Sequence, residues 1–187
     1  MFPDKLREKC GVFGVFGHKD AATLTALGLH ALQHRGQEGA GIVSYDGKNF
    51  NTQLSLGLVS DHFTKTSVID KLPGYSALGH VRYSTTGKTL LKNVQPLFAD
   101  LIGGGIALAH NGNLTNGIDL RNKLVKAGSI FQSTSDTETF LHLIALSKEK
   151  SIIKKIIDSL HDIKGAYSFG LLTKKKLIAI RDPLGIR

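Results

Sequence analysis

"REKCGVFGVFG", residues 7–17, holds the only cysteine of the chain, Cys10. A charged leader, MFPDKLREK, precedes it. After it, Gly11–Phe16 sets valine and phenylalanine between glycines and reads as a buried strand. A cysteine within a strand is usually a small buried hydrophobe. One at the junction of a charged leader and a strand asks for a different account. If the bond Lys9–Cys10 is cut, Cys10 carries a thiol and a free α-amine on one carbon. An unperturbed α-amine titrates near pH 8 and a thiol at about 8.5, so the two are matched near neutral pH. The amine can then serve as general base for the thiol, directly or through a water. The leader, residues 1–9, masks that base until it is removed.

Working outward, Ala21–Gln33 carries apolar residues at helical spacing and ends at the His34-Arg35-Gly36 loop. Gly41–Tyr45, Asn49–Leu54 and Leu56–Ser60 read as short strands around turns such as Asp46-Gly47. Ser76–Arg82 is a further strand, followed by a polar loop to Gln95. Leu97–Ile102 and Ile106–His110 form a hairpin around Gly103-Gly104-Gly105. Gly117–Ala127 is a helix stopped by Gly128. Ser135 and Glu138 have the spacing of a capping box and open an apolar helix through Leu146. Ile152, Ile153, Ile156, Ile157 and Leu160 mark a third helix. Two strands close the chain, Ala166–Thr173 and Leu177–Arg181. The order predicts two sheets with helices outside, an α+β sandwich rather than a parallel βαβ sheet.

Composition narrows the function classes. The chain has 187 residues, 41% of them hydrophobic, enough for one domain with a real core. No apolar run approaches the roughly 18 residues of a membrane helix, and the leader lacks the apolar core of a signal peptide. One cysteine excludes an internal disulfide, a multi-cysteine zinc site and a protein-ligated iron–sulfur cluster. A reducing cytoplasm is the expected compartment. The formal charge of +9 invites a nucleic-acid reading. The lysines are dispersed, however, and the densest run, Lys174–Lys176, falls in a predicted turn. No nucleic-acid motif accompanies them, so the charge is read as a solvated surface.

Four further segments carry chemistry. "LQHRGQEGAGI" (residues 32–42) is a polar, glycine-rich loop running into a strand. "GHVRYSTTG" (79–87) sets Arg82 at a strand end before three hydroxyl residues. "HNGNLTN" (110–116) ends a strand in Asn111 and Gly112. "STSDTE" (133–138) places Asp136 at a helix start. With "CGVFGVFG", these segments resemble the glutaminase domain of class II glutamine amidotransferases, within the N-terminal nucleophile hydrolase superfamily. The likeness runs from about Glu8 to Arg187, and "RYSTTG" and "LQHRGQEGAGI" favour the purine-biosynthetic branch. The implied fold is a four-layer αββα sandwich of two mainly antiparallel sheets.

The resemblance implies roles for particular residues. Cys10 matches the nucleophile that attacks the glutamine side-chain amide. Asn111 and Gly112 match the oxyanion hole; alone, Asn-Gly would read as a hairpin turn. Arg82 matches the partner of the substrate α-carboxylate, a use that suits a planar guanidinium. Thr85 matches a second group on that carboxylate. Asp136 matches the acceptor of the α-ammonium group. Arg35 and Gly36 match a loop lining the glutamine site. The bland alternatives are a surface salt bridge for Arg82, a helix cap for Asp136 and a solvated loop for Arg35. His34, His80 and His110 stand beside these motifs without metal-ligand spacing and are read as structural.

The expected substrate is glutamine, with no metal and no cofactor within the chain. Neither nucleic acid nor membrane is expected as a partner; a homo-oligomer is left open. Full-length members of that branch carry a C-terminal phosphoribosyltransferase domain that receives the ammonia, and no pyrophosphate-binding segment is visible here. The expected organisation is a leader, residues 1–9, and a glutaminase domain, residues 10–187, with the chain read as shortened after "RDPLGIR". Two alternatives stand beside an active glutaminase. One is a catalytically silent remnant that at most binds glutamine. The other is a related hydrolase acting on a different amide, which would leave Arg82 and Asp136 without charged partners.

Overall fold

The computed structural model describes residues 10–83 and 90–187. In chain order the elements are β1 (Gly11–Phe16), α1 (Ala21–Ala31), β2 (Gly39–Tyr45), β3 (Phe50–Leu56), the single-turn α2 (Val59–His62) and α3 (Thr66–Ile69), and β4 (Ser76–Arg82). Then follow β5 (Leu97–Leu101), β6 (Gly104–Leu114), α4 (Gly117–Lys126), α5 (Asp136–Leu146), α6 (Ile152–Leu160), β7 (Gly165–Thr173) and β8 (Leu177–Arg181). Short 3₁₀ turns occupy Gln33–Arg35 and Leu91–Asn93.

The strands form two four-stranded antiparallel sheets, ordered β1-β4-β2-β3 and β5-β6-β7-β8. Alternation along each strand sorts its side chains into layers. Ala77 and Val81 of β4 pack with Ala22, Ala26 and Leu29 of α1. Leu78 instead joins Ala107, Ala109 and Leu172 in the layer between the sheets. Ile106 and Leu108 of β6 face the other way, with Phe140 and Ile144 of α5 and Ile156 of α6. Helix, sheet, sheet and helix thus stack as the αββα sandwich.

Several local expectations change. β1 is an edge strand whose one neighbour is β4, so Phe13 and Phe16 are exposed rather than buried. Leu56–Ser60 is not a strand: Gly57 turns the chain with φ 90°, and the Gln33 Oε1 accepts the Val59 N–H at 2.6 Å to start α2. The helix predicted to Gln33 ends at Ala31. β6 does not stop at His110 but continues to Leu114, carrying Asn111 and Gly112 inside the ladder opposite Ser168 and Tyr167. The expected capping box is half formed. Ser135 Oγ accepts the Thr137 N–H at 3.3 Å, but Glu138 turns to the N–H groups of Gln132 and Ser133 at 2.8 and 2.7 Å.

Candidate active site

Strand alternation and register bring the described candidate residues to one end of the sandwich. Arg82 shares its face of β4 with Leu78, so it points between the sheets; Asn111 shares its face of β6 with Ala107 and Ala109. Cys10 stands directly before β1 and reaches the chain just past the end of β4. Its Sγ accepts the Tyr83 N–H at 3.4 Å and its thiol donates to the Tyr83 carbonyl at 3.5 Å.

Arg35 clamps Cys10 from both ends. The Cys10 N–H donates to the Arg35 carbonyl at 2.9 Å, and Arg35 Nε donates to the Cys10 carbonyl at 2.8 Å. Gly36 permits this loop to lie against β4, because a Cβ there would sit 2.8 Å from the Arg82 carbonyl. The clamped cysteine has φ 62°, the left-handed region that non-glycine residues seldom occupy. Burial pushes its thiol pKa up; the Tyr83 N–H and the Arg82 charge oppose that without cancelling it.

Arg82 donates from Nη1 to the Asn93 carbonyl at 3.2 Å. Its Nε is buried with no hydrogen-bond partner, and no carboxylate pairs with the guanidinium, among the described residues. Asn111 likewise buries an amide oxygen that has no partner among them. Gly112, with φ 147°, lies so close to β7 that a Cβ would overlap the Ala166 carbonyl. Thr85 lies outside the described residues.

Asp136 opens α5. Its Oδ2 accepts the Leu114 N–H at 2.8 Å and its Oδ1 lies 3.5 Å from His110 Nδ1, while its side chain stays 26% exposed. Burial alone would raise its carboxyl pKa. The His110 ring 3.5 Å away, with the Leu114 and Thr137 N–H groups, outweighs burial and holds it below the ordinary carboxylate value. The residue is therefore more than a helix cap, since that role falls to Ser135.

Residues that sequence reasoning passed over knit the site together. Asn93 joins Arg82 to Thr134, and Gln95 joins His110 to Thr137, with the Gln95 amide donating to Thr137 Oγ1 at 2.9 Å. Both fall in the stretch read as a polar loop, where nothing in composition marks an asparagine or glutamine as buried. His80 and His110 meet across the sheets, His80 Nε2 lying 3.1 Å from the His110 carbonyl. His34 sits on the surface against the Ala31 carbonyl. Among the described residues, no group of three or more histidine, cysteine, aspartate or glutamate side chains is placed to hold a metal, and no helix is long and apolar enough to cross a membrane.

A family model described as a glutamine amidotransferase domain matches residues 80–187. The chain is 59% identical over 184 residues to an amidophosphoribosyltransferase of Rhizobium etli, covering 98% of this chain and 37% of that protein. It is 50% identical to one from Lacticaseibacillus casei, covering 99% of this chain and 95% of that sequence. Among solved structures, the glutamine phosphoribosylpyrophosphate amidotransferase of B. subtilis complexed with ADP and GMP superposes with a TM-score of 0.87 at 45% identity, over 94% of this chain and 38% of that one. A predicted glutamine amidotransferase from Pseudomonas aeruginosa, 17% identical over 94% of this chain and 69% of that one, shares the fold with a TM-score of 0.52. The chain belongs to the glutamine amidotransferase domain family and, within it, to the amidophosphoribosyltransferases. It spans a little over a third of the length of the Rhizobium relative.

Proposed function

We propose that this chain hydrolyses glutamine to glutamate and ammonia with Cys10 as nucleophile, as the ammonia-supplying half of a purine-biosynthetic amidophosphoribosyltransferase. The observation that carries this reading is Arg82, a cation beside the Cys10 thiol with no carboxylate partner among the described residues. Its unpartnered Nε and planar guanidinium suit the α-carboxylate of a free amino acid. Asp136 takes the α-ammonium group, and the two charges select glutamine over amides that lack them. Arg35, Gly36 and Thr85 line the same pocket in this reading.

The chemistry follows from a chain that begins at Cys10, residues 1–9 having been removed. The α-amine takes the thiol proton, and the sulfur attacks the glutamine side-chain carbonyl carbon. The Asn111 side-chain amide and the Gly112 N–H receive the oxyanion. The carbon–nitrogen bond breaks, the amine's proton passes to the leaving group, and ammonia departs. Water then cleaves the γ-glutamyl thioester to give glutamate and restore the thiol. A phosphoribosyltransferase domain or chain is the acceptor of the ammonia.

The test is glutamate release with intact-mass analysis after treatment with the glutamine-shaped electrophile diazo-oxo-norleucine. Turnover lost in Cys10→Ala, with one adduct on a chain starting at Cys10, is the expected result. Residual turnover in Cys10→Ala, or equal hydrolysis of amides without an α-carboxylate, overturns the reading.

A further inference from the structure

His110 lies between the proposed oxyanion residues and Asp136. Its ring is buried and stacks on Phe169 at 4.4 Å, and Phe169 stacks on Phe140 at 4.5 Å. These stacks fix the ring plane. Alternation along β6 turns the ring toward α5, where Nδ1 faces Thr137 Oγ1 at 3.3 Å and Asp136 Oδ1 at 3.5 Å. The other nitrogen, Nε2, is buried without a partner among the described residues. It lies against Gly112, where a Cβ would come within 2.9 Å of it. A buried N–H with no acceptor costs more than a bare lone pair, so an imidazole with one proton carries it on Nδ1. Gln95 fixes both sides of this contact, accepting the His110 backbone N–H at 2.7 Å and donating to Thr137 Oγ1 at 2.9 Å.

We infer that His110 is a positioning residue for recognition of the substrate ammonium group: its Nδ1–H orients the Asp136 carboxylate so that the exposed edge faces the substrate. The inference rests on the proposed reading of Asp136. His110 itself touches no substrate atom. The Leu114 N–H holds Oδ2, and His110 Nδ1, whose nearer partner is Thr137 Oγ1 at 3.3 Å, stands 3.5 Å from Oδ1 on the other side of the carboxylate.

The test compares affinity for glutamine and for glutaramate, the same molecule without its α-amine, by titration calorimetry on Cys10→Ala protein. His110→Phe keeps an aromatic ring against Phe169 and removes the donor. His110→Asn offers an amide N–H near the place of Nδ1. His110→Phe should lose about tenfold in affinity for glutamine, the scale of one hydrogen bond to a charged group, and leave glutaramate unchanged; His110→Asn should recover most of the loss. Equal losses for both compounds, or no loss for glutamine, overturn the inference. Asp136→Asn separates the two levels. If that variant still prefers glutamine, the reading of Asp136 fails and this inference with it. If it loses the preference while His110→Phe keeps it, only the inference fails. A measurement without variants uses the native protein. Proton–nitrogen correlation spectra of the His110 ring should place the proton on Nδ1, and a bare Nδ1 overturns the inference.

Discussion

Asn93 and Thr134 hold each other by both ends: Asn93 Oδ1 accepts the Thr134 backbone N–H at 2.9 Å, and Asn93 Nδ2 donates to Thr134 Oγ1 at 3.0 Å. The Asn93 carbonyl meanwhile accepts Nη1 of Arg82. One buried asparagine therefore ties the end of β4 to the loop that delivers Asp136. Asn93→Ala leaves the Thr134 N–H unpaired and should cost about 1–3 kcal/mol of stability, read as a lower urea midpoint. Labelling of Cys10 by diazo-oxo-norleucine should slow more than labelling by iodoacetamide, which needs only the thiol. Equal slowing would place the damage at the thiol instead of the substrate pocket.

Arg82→Lys keeps the charge and discards the planar fork. Glutamine KM should rise by roughly 10- to 100-fold, the scale of about 1.5–3 kcal/mol for a charged hydrogen bond. An unchanged KM would remove Arg82 from the site.

His80 predicts an acid-sensitive fold. Burial, partly offset by the hydrogen bond to the His110 carbonyl, lowers its pKa from 6.5 to about 3. Above pH 6.5 both folded and unfolded chains carry it neutral. As pH falls from there toward 3, only the unfolded chain takes up the proton, so stability declines. From pH 7 to 5 this one group should remove about 2 kcal/mol. Asp136, held below 3.8, adds its own loss only beneath that pH. Urea melts between pH 7 and 5 should show a decline that is much shallower in His80→Gln; parallel profiles would exclude His80 as its source.

Gly112→Ala and Gly128→Ala separate close approach from backbone preference. Both glycines have positive φ, 147° and 95°, but a Cβ at Gly112 strikes the Ala166 carbonyl while one at Gly128 meets open space. Gly128→Ala should cost about 1 kcal/mol and spare glutamate release. Gly112→Ala should cost more and reduce the rate by about a hundredfold or beyond, the effect of a lost oxyanion donor. Circular dichroism melts and a glutamate assay on the two variants check both halves.

The layers were legible because hydrophobic patterning marked the elements: the isoleucines of α6, the apolar run of β8 and the strand ending at Arg82 all lie where their patterns put them. What the pattern hid was interruption and continuation. Leu56-Gly57-Leu58-Val59 has strand composition, and a distant Gln33 oxygen caps it into a helix. Asn111-Gly112 has turn composition, and pairing with β7 keeps it extended. The candidate residues could be named from the motifs. Their shared end of the sandwich depends on strand register, and their bracing by Asn93, Gln95 and Thr137 on long-range hydrogen bonds; local sequence encodes neither.

The left-handed backbone at Cys10 bears on the proposed cleavage before it. A φ angle is a torsion about N–Cα that needs the carbonyl carbon of the preceding residue. A non-glycine residue held in that region carries strain on the order of 1–3 kcal/mol. A chain beginning at Cys10 has no such torsion, and its nitrogen can keep the Arg35 carbonyl as acceptor with the strain gone. If the Lys9–Cys10 bond is hydrolysed, relief of that strain adds to the driving force of the step.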